Sequence, residues 1–304
     1  MRHVRHLSLR LATIVAGLAA CTAPALAQQQ PTNLTVHHLK GDVYYAEGAG
    51  GNSGIIIGNN GVVIVDAKTS AEGGKMLLAE VAKLTNKPVT HVIETHSDGD
   101  HINGLAAFPS GVKVIAHEGN KTEQEAAAKA GGRGAPPAQA MPTMVVDKNK
   151  ETLTLDGVKV ELHHWAPAHT SGDLVVYLPA QGIVFAGDIV ATQREDPIIH
   201  TEKHGSSQGW ITTMQGIEAL NADTFVPGHG DVQTKAEIQA RLKRVSDKRN
   251  EIARMVKQGK SLDDIKAAVG DNPPAGAAAG GGRGRGGPQF ASLLDVVYQE
   301  LKGK

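Results

Sequence analysis

The eight residues Glu94-Thr95-His96-Ser97-Asp98-Gly99-Asp100-His101 pack two imidazoles and three carboxylates into one short stretch. They follow a strand-like run, Val89 to Ile93, and lead into Ile102-Asn103-Gly104-Leu105. Alone, such a stretch reads as a solvated polar turn. Three later stretches change that reading: Pro167-Ala168-His169-Thr170-Ser171-Gly172-Asp173, Phe185-Ala186-Gly187-Asp188 and Val226-Pro227-Gly228-His229-Gly230. Each puts one imidazole or carboxylate at the exit of a strand-like run, beside glycine or close to it. Glycine lets the backbone turn sharply and pack closely behind a ligand. Strand exits along one rim of a sheet converge on a single crevice. Imidazoles and carboxylates gathered there form a donor set for first-row divalent metals.

Taken in order, His96-x-Asp98-x-Asp100-His101, then His169 in HTSGD, Asp188 in AGD and His229 in PGHG resemble the metal signature of the metallo-β-lactamase superfamily. The likeness runs from about Leu34 to Gly230. It implies an α+β fold, a four-layer αβ/βα sandwich with its site at one edge of the two sheets. It also implies the ligand sets. One metal takes His96, Asp98 and His169; the other takes Asp100, His101 and His229; Asp188 bridges them. Two divalent ions, zinc first, would activate a water, and Asp100 could orient that water or take its proton. One position departs from the family pattern. The usual motif is His-x-His-x-Asp-His, and Asp98 replaces the second histidine. A carboxylate makes the site harder and more anionic, so iron and manganese compete with zinc.

The function implied is an exported hydrolase that cleaves an ester, lactone, amide (a β-lactam included) or phosphoester in a small-molecule substrate. Asp98 keeps an iron redox enzyme, di-iron or mononuclear, as one alternative. A non-catalytic metal-binding protein is the other. Among the remaining polar residues, Asp66 ends a strand and could hold a ligand histidine from behind, as such ligands usually require. His200 and His204 lie in a loop that could border the pocket. His37, His38, His163 and His164 read as strand residues, and His117 as the residue after a strand.

The elements that must position these groups are legible in outline. Two short strands are expected around Lys40-Gly41-Asp42, then a hairpin, Ser53 to Ile57 and Gly61 to Val65, turning at Asn59-Asn60-Gly61. A helix follows from Ala71 to Leu84, with Met76, Leu77, Val81 and Leu84 on one face. Val89 to Glu94 and Val112 to Ala116 read as strands, and Lys121 to Lys129 as a helix. Two more hairpins turn at Asp156-Gly157 and Pro179-Ala180-Gln181. Helices are expected over Trp210–Leu220, Ala236–Lys257 and Phe290–Leu301, and a short strand over Thr224–Val226. The stretch Gly131 to Pro137 and the Gly/Arg-rich segment 271–288 bury too little surface to offset their backbone entropy and are expected to be mobile. The resulting division is a metallo-β-lactamase-like domain over 28–232 and a C-terminal helical extension over 233–304.

Composition narrows the partners. The chain has 304 residues, 40% apolar, enough for a sizeable core. Only 3% are aromatic and the formal charge is zero, which argues against a nucleic-acid partner. Residues 1–27 read as a secretory signal, with Arg2, Arg5 and Arg10, an apolar run too short to span a bilayer, and the cleavage site Ala25-Leu26-Ala27. Its removal takes three arginines and no acids, leaving a net charge of −3. The expected location is periplasmic or secreted. Cys21 is the only cysteine, so no intrachain disulfide forms. In Leu18-Ala19-Ala20-Cys21 it also resembles a lipobox. Lipidation there is the one route to a membrane anchor. If Asp188 serves both ions, Asp188→Ala should abolish binding of at least one metal. Two metals retained per chain at unchanged affinity would overturn the bridge.

Overall fold

A computed structural model describes residues 33–273 and 290–303. The leader with Cys21, and residues 274–289 of the Gly/Arg-rich run, lie outside the described residues. Seven strands form the first sheet in sequence order: β1 (Thr35–Lys40), β2 (Val43–Glu47), β3 (Ser53–Ile57), β4 (Val62–Val65), β5 (Val89–Ile93), β6 (Lys113–His117) and β7 (Met144–Val146). The first four pair antiparallel, and β4 to β7 run parallel. A second sheet holds β8 (Lys150–Leu155), β9 (Val158–His163), β10 (Val175–Leu178), β11 (Ile183–Phe185) and β12 (Thr224–Val226). Only β11 and β12 are parallel there. The helices are α1 (Ala71–Leu84), α2 (Gly99–Ile102), α3 (Glu118–Ala130), α4 (Ser207–Ala219), α5 (Lys235–Lys257), α6 (Leu262–Val269) and α7 (Leu293–Lys302).

Local chemistry accounts for the boundaries. Gly58 N donates to Gly61 O at 2.8 Å and closes the β3–β4 turn. Asp156 and Gly157 both have positive φ, 48° and 85°, as a two-residue type I′ hairpin turn requires. Ser70 caps α1 by accepting from Gly73 N, and Thr234 with Glu237 forms a capping box on α5.

Alternation along the strands then sorts the side chains into layers. Ile56, Val63, Val65 and Ile93 face the second sheet and meet Val160, Leu162, Val176 and Leu178. Their neighbours Ile55, Val62, Ile64 and Val92 face the other way, against Leu77 and Val81 of α1. On the outer face of the second sheet, Val175, Tyr177, Val184 and Phe225 pack with Trp210 and Met214 of α4, Ile238 and Val245 of α5, and Leu294 and Val297 of α7. Helix, sheet, sheet, helix is the four-layer sandwich the resemblance implied. Among the described residues no helix is long and apolar enough to cross a membrane.

Some elements differ from the sequence reading. β7 and α6 are additional. The last helix begins at Leu293, capped by Ser292, so Phe290 precedes it instead of opening it. Gly131–Pro137 contains a 3-10 turn, Gly132–Gly134. α7 is tied to the body by more than its apolar face. Glu300 accepts hydrogen bonds from Ser207 N at 2.7 Å and from the Ser207 hydroxyl, to which Arg249 also donates. Leu294 is fully buried in this helical layer. Leu294→Ala should therefore cost about 2–5 kcal/mol, read as a lower urea midpoint with unchanged slope. A loss under about 1 kcal/mol would mean that α7 is peripheral to the core.

Candidate metal centre

Strand direction explains why distant residues meet. β4 and β5 are parallel, so Asp66 and the Thr95-His96 turn leave the first sheet at one edge. In the second sheet β9 and β11 both oppose β10, and β12 parallels β11. Their exits, which carry His169, Asp188 and His229, therefore share an edge as well. The turn before β3 stitches the two edges together. Asn52 N donates to Gly228 O at 2.7 Å, and Asn52 Nδ2 donates to Pro227 O and Gly230 O at 3.1 and 3.0 Å. Gly51 N donates to Asp100 O at 3.1 Å. Sequence reading did not single out Asn52. A lone amide in a glycine-rich turn carries no signal of a partner far along the chain.

Three His/carboxylate groups gather among the described residues: the fully buried Asp66, His96 and His101, and two nearer the crevice, first His96, Asp98 and His169, and second Asp100, His101 and His229. In the His96, Asp98 and His169 group, Asp98 Oδ2 lies 3.7 Å from His96 Nε2 and 3.3 Å from His169 Nε2. In the Asp100, His101 and His229 group, Asp100 Oδ2 is 3.0 Å from His229 Nε2 and 3.8 Å from His101 Nε2, and the two imidazole nitrogens are 3.3 Å apart. Asp188 reaches both groups, at 3.2 Å from His101 Nε2, 3.5 Å from His229 Nε2 and 4.0 Å from His169 Nε2. A tetrahedral ion bonded at about 2.1 Å holds neighbouring donors about 3.4 Å apart, so both groups fit one. His96 Nε2 and Asp188 Oδ1 are buried and have no hydrogen-bond partner, which leaves them free as donors.

A rigid backing fixes these rings. Asp66 accepts from Thr95 N (2.8 Å), Thr95 Oγ1 (2.7 Å) and His101 Nδ1 (2.7 Å), so it orients His101 from behind as expected. Ile198 O meets His169 Nδ1 at 2.9 Å. Asp173 accepts from Ala168 N, Thr170 N and Thr170 Oγ1, which shapes the turn that presents His169. Glycine is required where the backbone itself abuts a donor. A Cβ on Gly51 would sit 2.2 Å from His101 Cε1, and one on Gly228 would sit 1.9 Å from Asp188 Oδ1.

Burial alone would discharge most of these groups, and pairing reverses it. Against burial, Asp66 and Asp188 hold His101 well above the usual imidazole range. Against burial, Asp98 lifts His169 to about 9. Burial and the neighbouring His101 push His96 well below its usual range. Burial opposes ionisation of Asp98, Asp100 and Asp188, yet all three lie below the usual carboxylate range; His169 and His200 lower the first, His229 the second and His101 the third. His101 and His169 thus carry protons that a cation must displace. Binding should release protons and tighten as pH rises toward about 9.

Two further residues surround Asp98. His200 Nε2 lies 3.1 Å from Asp98 Oδ2, and its ring stands edge-on to His169. Lys203 pairs with Asp98 Oδ1 and donates to Ser97 Oγ at 2.9 Å. His200 therefore borders the crevice, as its loop suggested, and Lys203 was not anticipated. The other histidines do local work. His117 caps α3 and stacks on His164, His163 stacks on Trp165, and His204 ends a 3-10 turn in the left-handed region.

The backing yields a prediction. Asp66→Ala removes the acceptor that orients His101, and loss of such a partner typically weakens metal binding by about 10–100-fold. Competition with a chromogenic chelator measures it. Unchanged affinity would mean that His101 needs no carboxylate behind it.

Comparison with known proteins places this arrangement. The family model described as metallo-beta-lactamase superfamily matches residues 46–229. The linear primary-alkylsulfatase of Pseudomonas sp. (strain ATCC 19151) is 24% identical over 255 residues, covering 69% of this chain and 48% of the relative. The metallo-beta-lactamase type 2 of Bacillus sp. (strain 170) is 30% identical over 207 residues, covering 67% of this chain and 75% of the relative. Among solved structures, a stereoselective inverting sec-alkylsulfatase from Pseudomonas sp. superposes with a TM-score of 0.65 at 17% identity, covering 88% of this chain and 50% of that one. A metallo-beta-lactamase from Pontibacter korlensis gives 0.59 at 22% identity, covering 70% and 99%. The chain spans about half the length of the alkylsulfatases it matches. With donors, order and fold in agreement over most of its length, this chain belongs to the metallo-β-lactamase superfamily.

Proposed function

We propose that this chain is an exported, metal-dependent hydrolase of small molecules that works with two divalent ions, zinc foremost. The observation that carries the reading is the pair of three-donor groups at tetrahedral spacing, with Asp188 reaching both. When bound, two such ions supply Lewis acidity and lower the pKa of a water. His96, Asp98 and His169 would hold one, and Asp100, His101 and His229 the other. The protein's own part is to hold substrate and move a proton. Asp100 is the most solvent-accessible of these carboxylates, with 39% of its side chain exposed. Being ionised, it can orient a water and take its proton at Oδ1, which leaves Oδ2, beside His229 Nε2, for the metal. Relatives named as alkylsulfatase and β-lactamase support a hydrolytic class. The bonds to try are therefore ester, lactone, β-lactam, phosphoester and sulfate ester. The leader-like residues 1–27 support export.

Elemental analysis of protein purified without added metal tests the reading, followed by that substrate panel. Two metals per chain are expected, with turnover lost on chelation and restored by metal. A chain that holds no metal, or whose turnover ignores a chelator, overturns it. Asp98 supports a second reading, an iron redox enzyme, which the same analysis separates by finding iron in place of zinc.

Asp98→His tests the departure from the family motif. The change restores the usual ligand type and removes one negative charge. Zinc should bind at least as tightly, and preference should move away from iron and manganese. Hydrolysis should persist within about tenfold, ~1.4 kcal/mol in the barrier, if Asp98 serves only as a ligand. Tighter iron binding in the variant, measured in competition with zinc, would refute a bias of Asp98 toward hard ions.

A further inference from the structure

Two cavities, of about 420 and 210 Å³, open on the donor cluster. Both are lined by Asp98, Asp100, His200 and Phe290. Phe290 is the unexpected member. It lies well beyond residue 229, where the family match ends, and just before α7. Its ring stands edge-on to His200, with centroids 4.7 Å apart. His200 in turn stands edge-on to His169, one of the candidate ligands, at 4.6 Å. A chain of ring contacts thus runs from the C-terminal segment to the metal centre.

Phe290 is also anchored. Ser292 caps α7 by accepting from Asp295 N, Leu293 and Leu294 are buried in the helical layer, and Glu300 is bonded to Ser207. A ring held so close to a docked helix offers a fixed apolar surface to both cavities. Otherwise their shared walls are carboxylates and imidazole. Ile198 extends the apolar lining of the smaller cavity, and Pro136 that of the larger.

We propose that Phe290 is a specificity-determining wall of the substrate site. It selects substrates that carry an aryl or comparably flat apolar substituent next to the anionic or polar group that meets the donor cluster. A ring-on-ring contact in the edge-to-face or offset geometry favours such a substituent over a methyl group beyond simple burial. The inference rests on the metal-hydrolase reading above, and its test keeps the two apart.

The test uses the full chain loaded with zinc, with phenylphosphonate and methylphosphonate as probes and binding read by calorimetry. Zinc content is measured first. A parent that holds no zinc overturns the hydrolase reading and this inference with it. In a zinc-loaded parent, phenylphosphonate should bind at least tenfold more tightly than methylphosphonate. Phe290→Ala should erase most of that preference while methylphosphonate stays within twofold of the parent. Phe290→Tyr, which keeps the ring and guards against a misfolded alanine variant, should retain it. Equal binding of the two probes by the loaded parent overturns this inference alone. So does an alanine variant with unchanged preference, and so does a variant that weakens both probes equally.

Discussion

Asp66 accepts three hydrogen bonds on the side of the imidazoles away from the crevice, two from Thr95 and one from His101. The rest of the site depends on that anchor. It fixes the turn that carries His96 and turns Nε2 of His101 toward Asp188 and His229. Its own backbone has φ of 58°, a left-handed conformation that side chains other than glycine seldom adopt. Strain of that kind persists only where surrounding contacts over-determine it. Here they do: Asp66 N also donates to Ile93 O at 3.0 Å, which ties the strained residue to the end of β5 just where the β4–β5 pairing stops.

From this anchor the charges form a closed set. Carboxylates that would be discharged by burial stay ionised because imidazoles face them, and His101 and His169 stay protonated because carboxylates face them. Such a set tolerates replacement of protons by metal, since both satisfy the same oxygens. Lys203 extends the logic to Asp98. The position where the family usually has an imidazole carries a carboxylate, and a lysine from the loop after β11 pairs with its second oxygen. The added negative charge is therefore matched within the protein and does not stand alone against the ion.

Much of this was readable from residues alone. The donors announce themselves because each sits in a short motif at a strand exit, and strands buried on both faces, such as β3 and β4, stand out as unbroken β-branched runs. What escaped has a common physical cause. Asn52, Lys203 and Phe290 act through partners far away in the chain, and nothing in their local sequence encodes the partner. β7 was missed because three residues, two of them exposed, show no pattern, and α6 because it is short. Phe290 fits a helical stripe by periodicity, yet the Ser292 cap starts the helix three residues later, at Leu293, and frees the ring to point elsewhere.

The Asn52 stitch joins the rim of one sheet to the rim of the other through three hydrogen bonds. The donors divide in the same way: His96 to His101 come from the first sheet, and His169, Asp188 and His229 from the second. Neither half of the chain contains a complete pair of donor groups, so a nascent polypeptide has no finished site until its second sheet has been synthesised and docked. Capture of a metal at these donors would consequently be a late event in the life of the molecule, and it would lock together two layers that were made at different times.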